Sequence, residues 1–418
     1  MKKLQSLRGM EDLYEELQVR LWQEVESKAA VIFEKAGFTE IRTPILELKE
    51  LFARGVGETS DIVSKEMYEL EDRKGQKLAL RPEGTASVVR AFIQHYTSHQ
   101  IQEGRFYYKG PMFRYERPQA GRLRQFHQIG AELFGSNHPM ADVEMISLLE
   151  KLLRSLHLKE ISLQINSLGL PEERQAYREA LQGFLKKIED LFSEDFKERV
   201  QKNPLRVLDS KDPKVQEALK EAPKLEFFLS EESRVHFKQV QEFLDLLKID
   251  YQINPYLVRG LDYYDQTVFE FLSGDLGAQN AVAGGGRYNH LVASFGGPSV
   301  PAVGFALGME RLVSLLDTSL LKTQAKRVYF IALDLESTKL LLPKLEELRQ
   351  DAVIAQIDLS EGSLKAKLKR AHRWEADLVI ILGEGERQKQ SFLVKDMASG
   401  EQFELSWQDF RKKLKLNN

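Results

Sequence analysis

Apolar residues at Leu13, Leu17, Leu21, Val25, Ile32 and Ala36 recur at helical spacing, and Gly37 follows where a helix C-cap is expected. From 38 to 44 the pattern turns extended. Leu78 and Leu80 alternate with polar neighbours, as in a half-buried strand, and Pro82-Glu83-Gly84-Thr85 then breaks the strand and is suited to start a helix. Residues 104–117 and 125–135 read as two strands joined by a polar, basic turn from Pro118 to Arg124, which predicts a long hairpin. Residues 171–249 are rich in Glu, Lys and Leu, with helical periodicity and no strand-like alternation until the end, and read as a helical insertion. A strand returns over 267–272, the cluster Gly284-Gly285-Gly286 follows, and a small-residue strand then runs into a helix near Gly308.

Beyond about 327 strands and helices alternate: strand 328–333, helix 337–350, strand 353–359, helix 363–374, strand 378–382, then a hairpin and a last helix. This alternation predicts a compact α/β domain, with 314–326 as its linker. The whole chain has 418 residues, enough for two or three domains. Its net charge of −3 gives no general affinity for nucleic acid, so any RNA-binding surface has to be local. The absence of cysteine excludes disulfides, thiolate catalysis and cysteine-ligated zinc. The start, Met1 to Gly9, carries two lysines and no apolar core after them, unlike a signal peptide. Apolar runs such as Leu378–Leu382 are too short to span a bilayer, so the expected location is the cytoplasm, with no membrane partner.

Neither a P-loop nor a metal-binding histidine spacing is present, so any ATP has to be held by other means. Four segments could carry chemistry. Along the hairpin, strand alternation puts Gln128, Gly130 and Glu132 on one face and Arg114 and Glu116 on one face of the partner. If those faces coincide, an arginine, two carboxylates and an amide surround a gap left by Gly130, fit for a small zwitterion and a phosphate; the plainer alternative is an exposed polar hairpin face. The segment 256–264 places Arg259 beside Gly260 and ends in Tyr263-Tyr264, either as a site or as a loop with aromatic anchors. Three glycines before Arg287-Tyr288 let a backbone approach a ligand, or simply form a turn or bulge. Finally, Gly304, Ala306 and Gly308 leave one strand face nearly bare for a flat ring, and Arg311 follows in the first turn of a helix, where the helix dipole gives an arginine nothing.

Together these segments resemble the three motifs of a class II aminoacyl-tRNA synthetase: residues 37–44 as motif 1, Phe113-Arg114-Tyr115-Glu116 with 124–128 as motif 2, and Gly308-Met309-Glu310-Arg311 as motif 3. Residues 257–264 and 284–288 look like the histidine-specific motifs of the histidyl-tRNA synthetase family, and residues 8–12, 59–68 and 81–85 also fit. The resemblance covers nearly the whole chain. It implies an α+β fold with a catalytic core of antiparallel sheet flanked by helices, divided into 1–170 and 250–322 by the helical insertion 171–249, and followed by an anticodon-binding α/β domain over 323–418. It implies ligation of L-histidine to tRNA(His) by way of histidyl-adenylate, with ATP and Mg²⁺, in a homodimer built through motif 1. It further implies Arg259 and Arg114 as catalytic groups, with Arg114, Glu116, Arg122 and Arg311 on ATP. Histidine would be bound by Glu83, Gly84, Thr85, Arg114, Gln128, Glu132, Arg259, Tyr263, Tyr264 and Tyr288, with Glu132 and Tyr264 reading the imidazole. Arg117, Arg122 and Arg124 would meet the acceptor end of the tRNA. Lys365, Lys367, Lys369, Arg370 and Arg373 form a basic helix that either touches RNA or is a solvated face. The alternative within the same family is a regulatory paralogue that binds histidine without charging tRNA, but such relatives usually lack the last domain and the catalytic arginines that this chain keeps.

Overall fold

The structure, a computed structural model, describes residues 3–57, 60, 62–97, 103–117, 122–158, 160–188, 193, 196–197, 200–201, 203–210, 212–274, 281–321, 325–351 and 353–414. The tip of the expected hairpin at 118–121, and residues 59 and 61 of one family segment, lie outside them. The chain forms two compact units, Met1–Leu320 and Leu321–Asn418.

The first unit is organised by helix α1 (Glu16–Lys35), whose buried face is Leu21, Val25, Ala29 and Phe33. That i, i+4 stripe packs on the sheet, and Gly37, at φ +82°, turns the chain out of the helix through a left-handed conformation that glycine adopts without strain. The stripe starts later than its apolar pattern suggested: Leu13 and Leu17 are exposed. The extended stretch after it is a strand only at β1 (Thr39–Glu40), while β2 (Leu46–Leu48), β3 (Glu69–Glu71) and β4 (Lys77–Leu80) make a separate three-stranded sheet beside helix α2 (Lys49–Val56). As expected, the chain leaves β4 through 82–84 and enters helix α3 (Thr85–His95).

The expected hairpin is β5 (Gly104–Phe113) with β6 (Gln125–Phe134), in antiparallel register from Gly104↔Phe134 to Phe113↔Gln125. Next to β6 come β11 (Ala302–Gly308), β10 (Ala281–Arg287), β9 (Asp265–Ser273), β7 (Ile161–Ser167) and β8 (Gln252–Ile253), completing an eight-stranded sheet with β1 at its other edge. The three glycines are part of β10, not a turn. A Cβ on Gly285 would stand 2.7 Å from the Phe305 Cβ, and one on Gly286 would stand 2.6 Å from the Thr267 carbonyl, so a side chain there would force the strands apart.

Helix α4 (Pro139–Ser155) is apolar nearly all round and packs in the same core as α1, joined by Ile129, Leu133 and Phe305. The segment after β7 is helical, as its periodicity indicates: α5 (Pro171–Lys186), α6 (Pro213–Leu219) and α7 (Glu231–Leu246). It is not set apart from the sheet. Val240 and Leu244 of α7 join the core of α1 and α4, while Tyr177 and Leu181 of α5 join the other core, with Val88, Phe92 and Tyr288. Two partly buried polar links fasten the pieces that carry the site. Arg81 donates to Pro111 O at 2.9 Å and to Thr43 O at 3.0 Å, and Glu310 accepts from the His127 backbone N–H at 2.9 Å.

The second unit has a five-stranded sheet in the order β13 (Ile354–Ile357), β12 (Arg327–Ala332), β14 (Leu378–Leu382), β15 (Phe392–Asp396), β16 (Gln402–Leu405). The first three are parallel and the last two are an antiparallel hairpin. The helices α10 (Leu335–Gln350), α11 (Leu364–Arg373) and α13 (Trp407–Lys413) fall where the pattern puts them. The helix α12 (Glu384–Gln388) is too short for periodicity to reveal; Glu386 caps it by accepting from the Gly383 N–H at 2.9 Å.

Candidate active site

A cavity of about 300 Å³ opens over β6, β11, β10 and β9. It gathers Glu83, Thr85, Arg114, Glu116, Arg122, Gln128, Arg259, Tyr263, Tyr264 and Arg311 from five separate stretches of chain. The bare strand face is part of it: Ala306 and Gly308 line the cavity, and a Cβ on Gly308 would meet nothing within 4 Å. Gly304 is different, because the Glu132 carboxylate already covers it.

Four arginines set the electrostatics. Arg114 leaves the hairpin, donates from Nε to Pro82 O at 2.9 Å and stacks with its Cζ 5.1 Å from the Phe126 ring. Its charge is shared with Glu116 at 3.9 Å, which also pairs with Arg122 at 3.1 Å. Arg311, on the short helix α9 (Met309–Ser314), which follows α8 (Leu291–Ser294) and β11 in the chain, donates to Ala281 O at 3.0 Å. Burial, and then the nearby charges of Arg122 and Arg114, lower its pKa, so the charge is held at a cost that an anion in the cavity would relieve. Arg259 reaches the same space and pairs with Glu270 of β9. Arginine is suited to this work because its charge persists and its fork of N–H donors matches carboxylate and phosphate oxygens.

Beneath these cations lies a buried layer of oxygen atoms. Glu132 is fully buried and accepts from Thr85 Oγ1 at 2.7 Å and from the Tyr288 hydroxyl. Burial pushes its pKa up to about 8, although both hydrogen bonds act the other way. Glu83 accepts from the backbone N–H groups of Thr85 at 2.7 Å and Ala86 at 2.8 Å, which places its carboxylate on the first turn of α3. Its pKa is nonetheless raised, because burial outweighs those bonds. The Tyr263 ring packs 4.6 Å from Tyr264 and 5.7 Å from Tyr288, closing one side. Among the described residues, Gln128 Oε1 and Arg259 Nε are buried without a hydrogen-bond partner, as expected of groups kept for a ligand.

Gly84, Glu132 and Tyr288 stand behind the cavity wall rather than on it. The gap expected at Gly130 is filled: Tyr108, opposite it in the hairpin, lies where a Cβ on Gly130 or on Gly84 would be. Small residues at 84 and 130 therefore admit the Tyr108 ring, whose hydroxyl is buried without a partner among the described residues. Tyr108 and Glu270 are not singled out by the sequence, and Phe126 enters there only as part of motif 2. A tyrosine directly across a hairpin from a glycine was a usable signal for the first, but nothing local marks Glu270. Arg287 of the glycine motif turns away from the cavity into a fully buried ion pair with Asp142.

In the second unit the basic helix is only partly available. Lys367 donates to Ala332 O at 3.0 Å, and Arg370 grips Asp358 with Nε at 2.9 Å and Nη2 at 3.1 Å, so these two cations are committed to the fold. Lys365, Lys369 and Arg373 are exposed.

The cavity is thus built to hold an anionic ligand over a buried hydrogen-bonding floor, and comparison with known proteins shows where the arrangement recurs. The sequence family described as histidyl-tRNA synthetase matches residues 9–312, and the one described as anticodon binding domain matches residues 338–417. The chain is 48% identical to a histidine–tRNA ligase of Thermodesulfovibrio yellowstonii over 97% of its own length and 96% of the relative's. It is 46% identical to one of Halothermothrix orenii, over 95% and 96%. Among solved structures, the apo histidyl-tRNA synthetase of S. aureus superposes with a TM-score of 0.79 at 32% identity, over 99% of this chain and 100% of that one. A match that runs from motif 1 through motif 3, at nearly half identity over nearly the full length, places this chain in the histidyl-tRNA synthetase family.

Proposed function

We propose that the protein ligates L-histidine to tRNA(His) in two steps with ATP. The observation that carries this reading is the convergence of four arginines on one cavity whose floor is a buried carboxylate and tyrosine layer, in a chain of this family. In the first step a histidine carboxylate oxygen bonds to the α-phosphorus, and the bond to the pyrophosphate oxygen breaks. Two anions have to meet and charge grows on the phosphoryl oxygens, which oriented arginines stabilise. Arg259 serves the carboxylate and α-phosphate, Arg114 the α-phosphate, and Arg311 the far end of the nucleotide, with Glu116 and Arg122 beside it. In the second step a ribose hydroxyl of the terminal adenosine attacks the histidyl carbonyl, and AMP leaves. Neither step needs a protein nucleophile.

For histidine, Glu83, Thr85 and Gln128 would receive the amino group, and Glu132 and Tyr264 would match the donor and acceptor nitrogens of a neutral imidazole. Tyr288 and Thr85 already hold the Glu132 carboxylate, so imidazole recognition would require Tyr288 to share it. Mg²⁺ arrives with the triphosphate: among the described residues no three carboxylate or imidazole groups converge as a cage, and magnesium commonly takes most of its ligands from phosphate and water. The exposed Ile45, Leu46 and Leu48 beside motif 1 support a homodimer. No helix among the described residues is long and apolar enough to cross a membrane, and we infer that the enzyme acts in the cytoplasm.

ATP–pyrophosphate exchange tested across amino acids, followed by charging of tRNA(His), examines the whole reading. Exchange with histidine alone and transfer to tRNA(His) are expected. Histidine binding without exchange would favour the regulatory paralogue instead, which Arg114, Arg259, Arg311 and the second unit argue against.

A further inference from the structure

Among the described residues, Arg259 is anchored on one edge. Its Nη1 donates to Oε1 of Glu270, its Cζ lies 5.5 Å from the Tyr264 ring centroid, and its Nε is buried without a partner. The backbone leaves room for this arrangement. Gly284 sits opposite Glu270 in the ladder between β9 and β10, and a Cβ there would stand 2.8 Å from the Arg259 Cζ. Any side chain at 284 would push the guanidinium off the carboxylate. Glu270 is only 21% exposed and faces the cavity that also holds Arg114, Arg122 and Arg311. A carboxylate in that place repels the anionic substrates the cavity has to gather, so its presence calls for a compensating role. The planar fork of arginine supplies one, because one edge can stay on a carboxylate while the other meets a ligand oxygen. Burial opposes the charge of Arg259, yet the opposite charge of Glu270 and then the Tyr264 and Tyr263 hydroxyls outweigh it and raise the guanidinium pKa.

We propose that Glu270 is the positioning residue of Arg259: it holds one edge of the guanidinium across the bare backbone of Gly284, so that the rest of the fork is presented to the histidine carboxylate and the α-phosphate. The inference rests on the assignment of Arg259 made above. Glu270 itself touches neither substrate and acts only through the arginine.

The test compares wild type with Glu270→Gln, Arg259→Ala and the double variant, using single-turnover adenylate formation so that slow variants stay measurable, with circular dichroism as the folding control. Misplacing an oriented group by about 1 Å costs on the order of 10²-fold. Glu270→Gln is expected to lower the rate at saturating substrates by about that factor and to raise the KM for histidine several-fold, because the arginine also meets the histidine carboxylate, whereas loss of folded enzyme would lower the rate and leave KM untouched. In the Arg259→Ala background the same change should add nothing, since the two residues then share one effect. Gly284→Ala should reproduce the rate loss without altering any charge, and Glu270→Asp should recover part of it. Equal losses from Glu270→Gln with and without Arg259 would overturn the positioning role, as would a near-normal rate for Glu270→Gln while Arg259→Ala is crippled; in both cases the assignment of Arg259 survives. A folded Arg259→Ala of near-normal rate would remove that assignment, and this inference with it.

Discussion

The arginines of the cavity and the cations of α11 carry the same charge but are held by the fold in different ways. Arg114 is tied to Pro82 O, Arg311 to Ala281 O and Arg259 to Glu270, and all three line the cavity. On α11, by contrast, Lys365, Lys369 and Arg373 are exposed, and the two cations that are tied down, Lys367 and Arg370, are used up by the fold. The contrast teaches what each site needs. A transition state rewards donors fixed before charge develops, because no energy is then spent on reorienting them. A phosphodiester backbone offers charge over a long path, and mobile, hydrated cations serve it well at the expense of salt sensitivity.

The largest expected effect removes one of the held arginines. Arg259→Ala should lower adenylate formation by about 10²–10³-fold while the fold stays intact. Pyrophosphate exchange at saturating histidine and ATP measures it, and a folded variant of near-normal activity would contradict the idea that fixed donors carry the first step.

The next concerns the floor rather than the cations. Glu132→Gln keeps the size of the side chain but fixes it neutral, so it cannot ionise to accept from a bound imidazole N–H, and a hydrogen bond to a charged group contributes about 1.5–3 kcal/mol. The KM for histidine should therefore rise about 10- to 100-fold, with ATP affinity little changed; exchange kinetics varying each substrate in turn would show it. The same variant has a signature in stability. Because the folded pKa of Glu132 is raised to about 8, the native state keeps a proton that the unfolded chain releases near its ordinary value. The contribution of this group is fully present below the unfolded pKa and is lost as pH rises through about 8. Glu132→Gln should thus gain in Tm relative to wild type as pH goes from 5 to 8.5. A constant difference across that range would mean that Glu132 is not held protonated.

On the other side of the comparison, replacing Lys365, Lys369 and Arg373 together by Ala should raise the KM for tRNA(His) several-fold and flatten its salt dependence, with histidine activation unaffected. Unchanged charging at both low and high salt would show that α11 is a solvated face. The smallest effect belongs to the committed pair in that unit. The Arg370 guanidinium and the backbone N–H of Ser360 hold the pKa of Asp358 below the usual range against the effect of burial. A depressed carboxylate pKa stabilises above the unfolded value and ceases to do so as pH falls through the folded one. Thermal melts of the intact protein should show the second unit weakening in acid below about pH 4, and Asp358→Asn should lower its Tm at neutral pH and remove that part of the acid sensitivity.

Much of this architecture was legible from pattern alone. In the second unit, β12, α10, β14 and α11 fall where apolar periodicity puts them, because each element buries its own stripe against a sheet made by its near neighbours in sequence. The helical character of 171–249 and the hairpin β5–β6 follow for the same reason. The family motifs likewise named ten of the residues that line the cavity. Three things depended on contacts between distant segments. Gly284 to Gly286 belong to a strand and not a turn, since only the closeness of β9 and β11 demands their bareness. Gly84 and Gly130, forty-six positions apart, are both small to accommodate the single ring of Tyr108. Glu270 looks like any polar residue in an apolar strand until register sets it beside Gly284 and under Arg259. Periodicity records which face of an element is buried, and that is determined one element at a time. Which side chain fills the space beside a given glycine, and which charge anchors a given arginine, is decided by strand register and packing, because both groups come from segments that meet only in the folded chain.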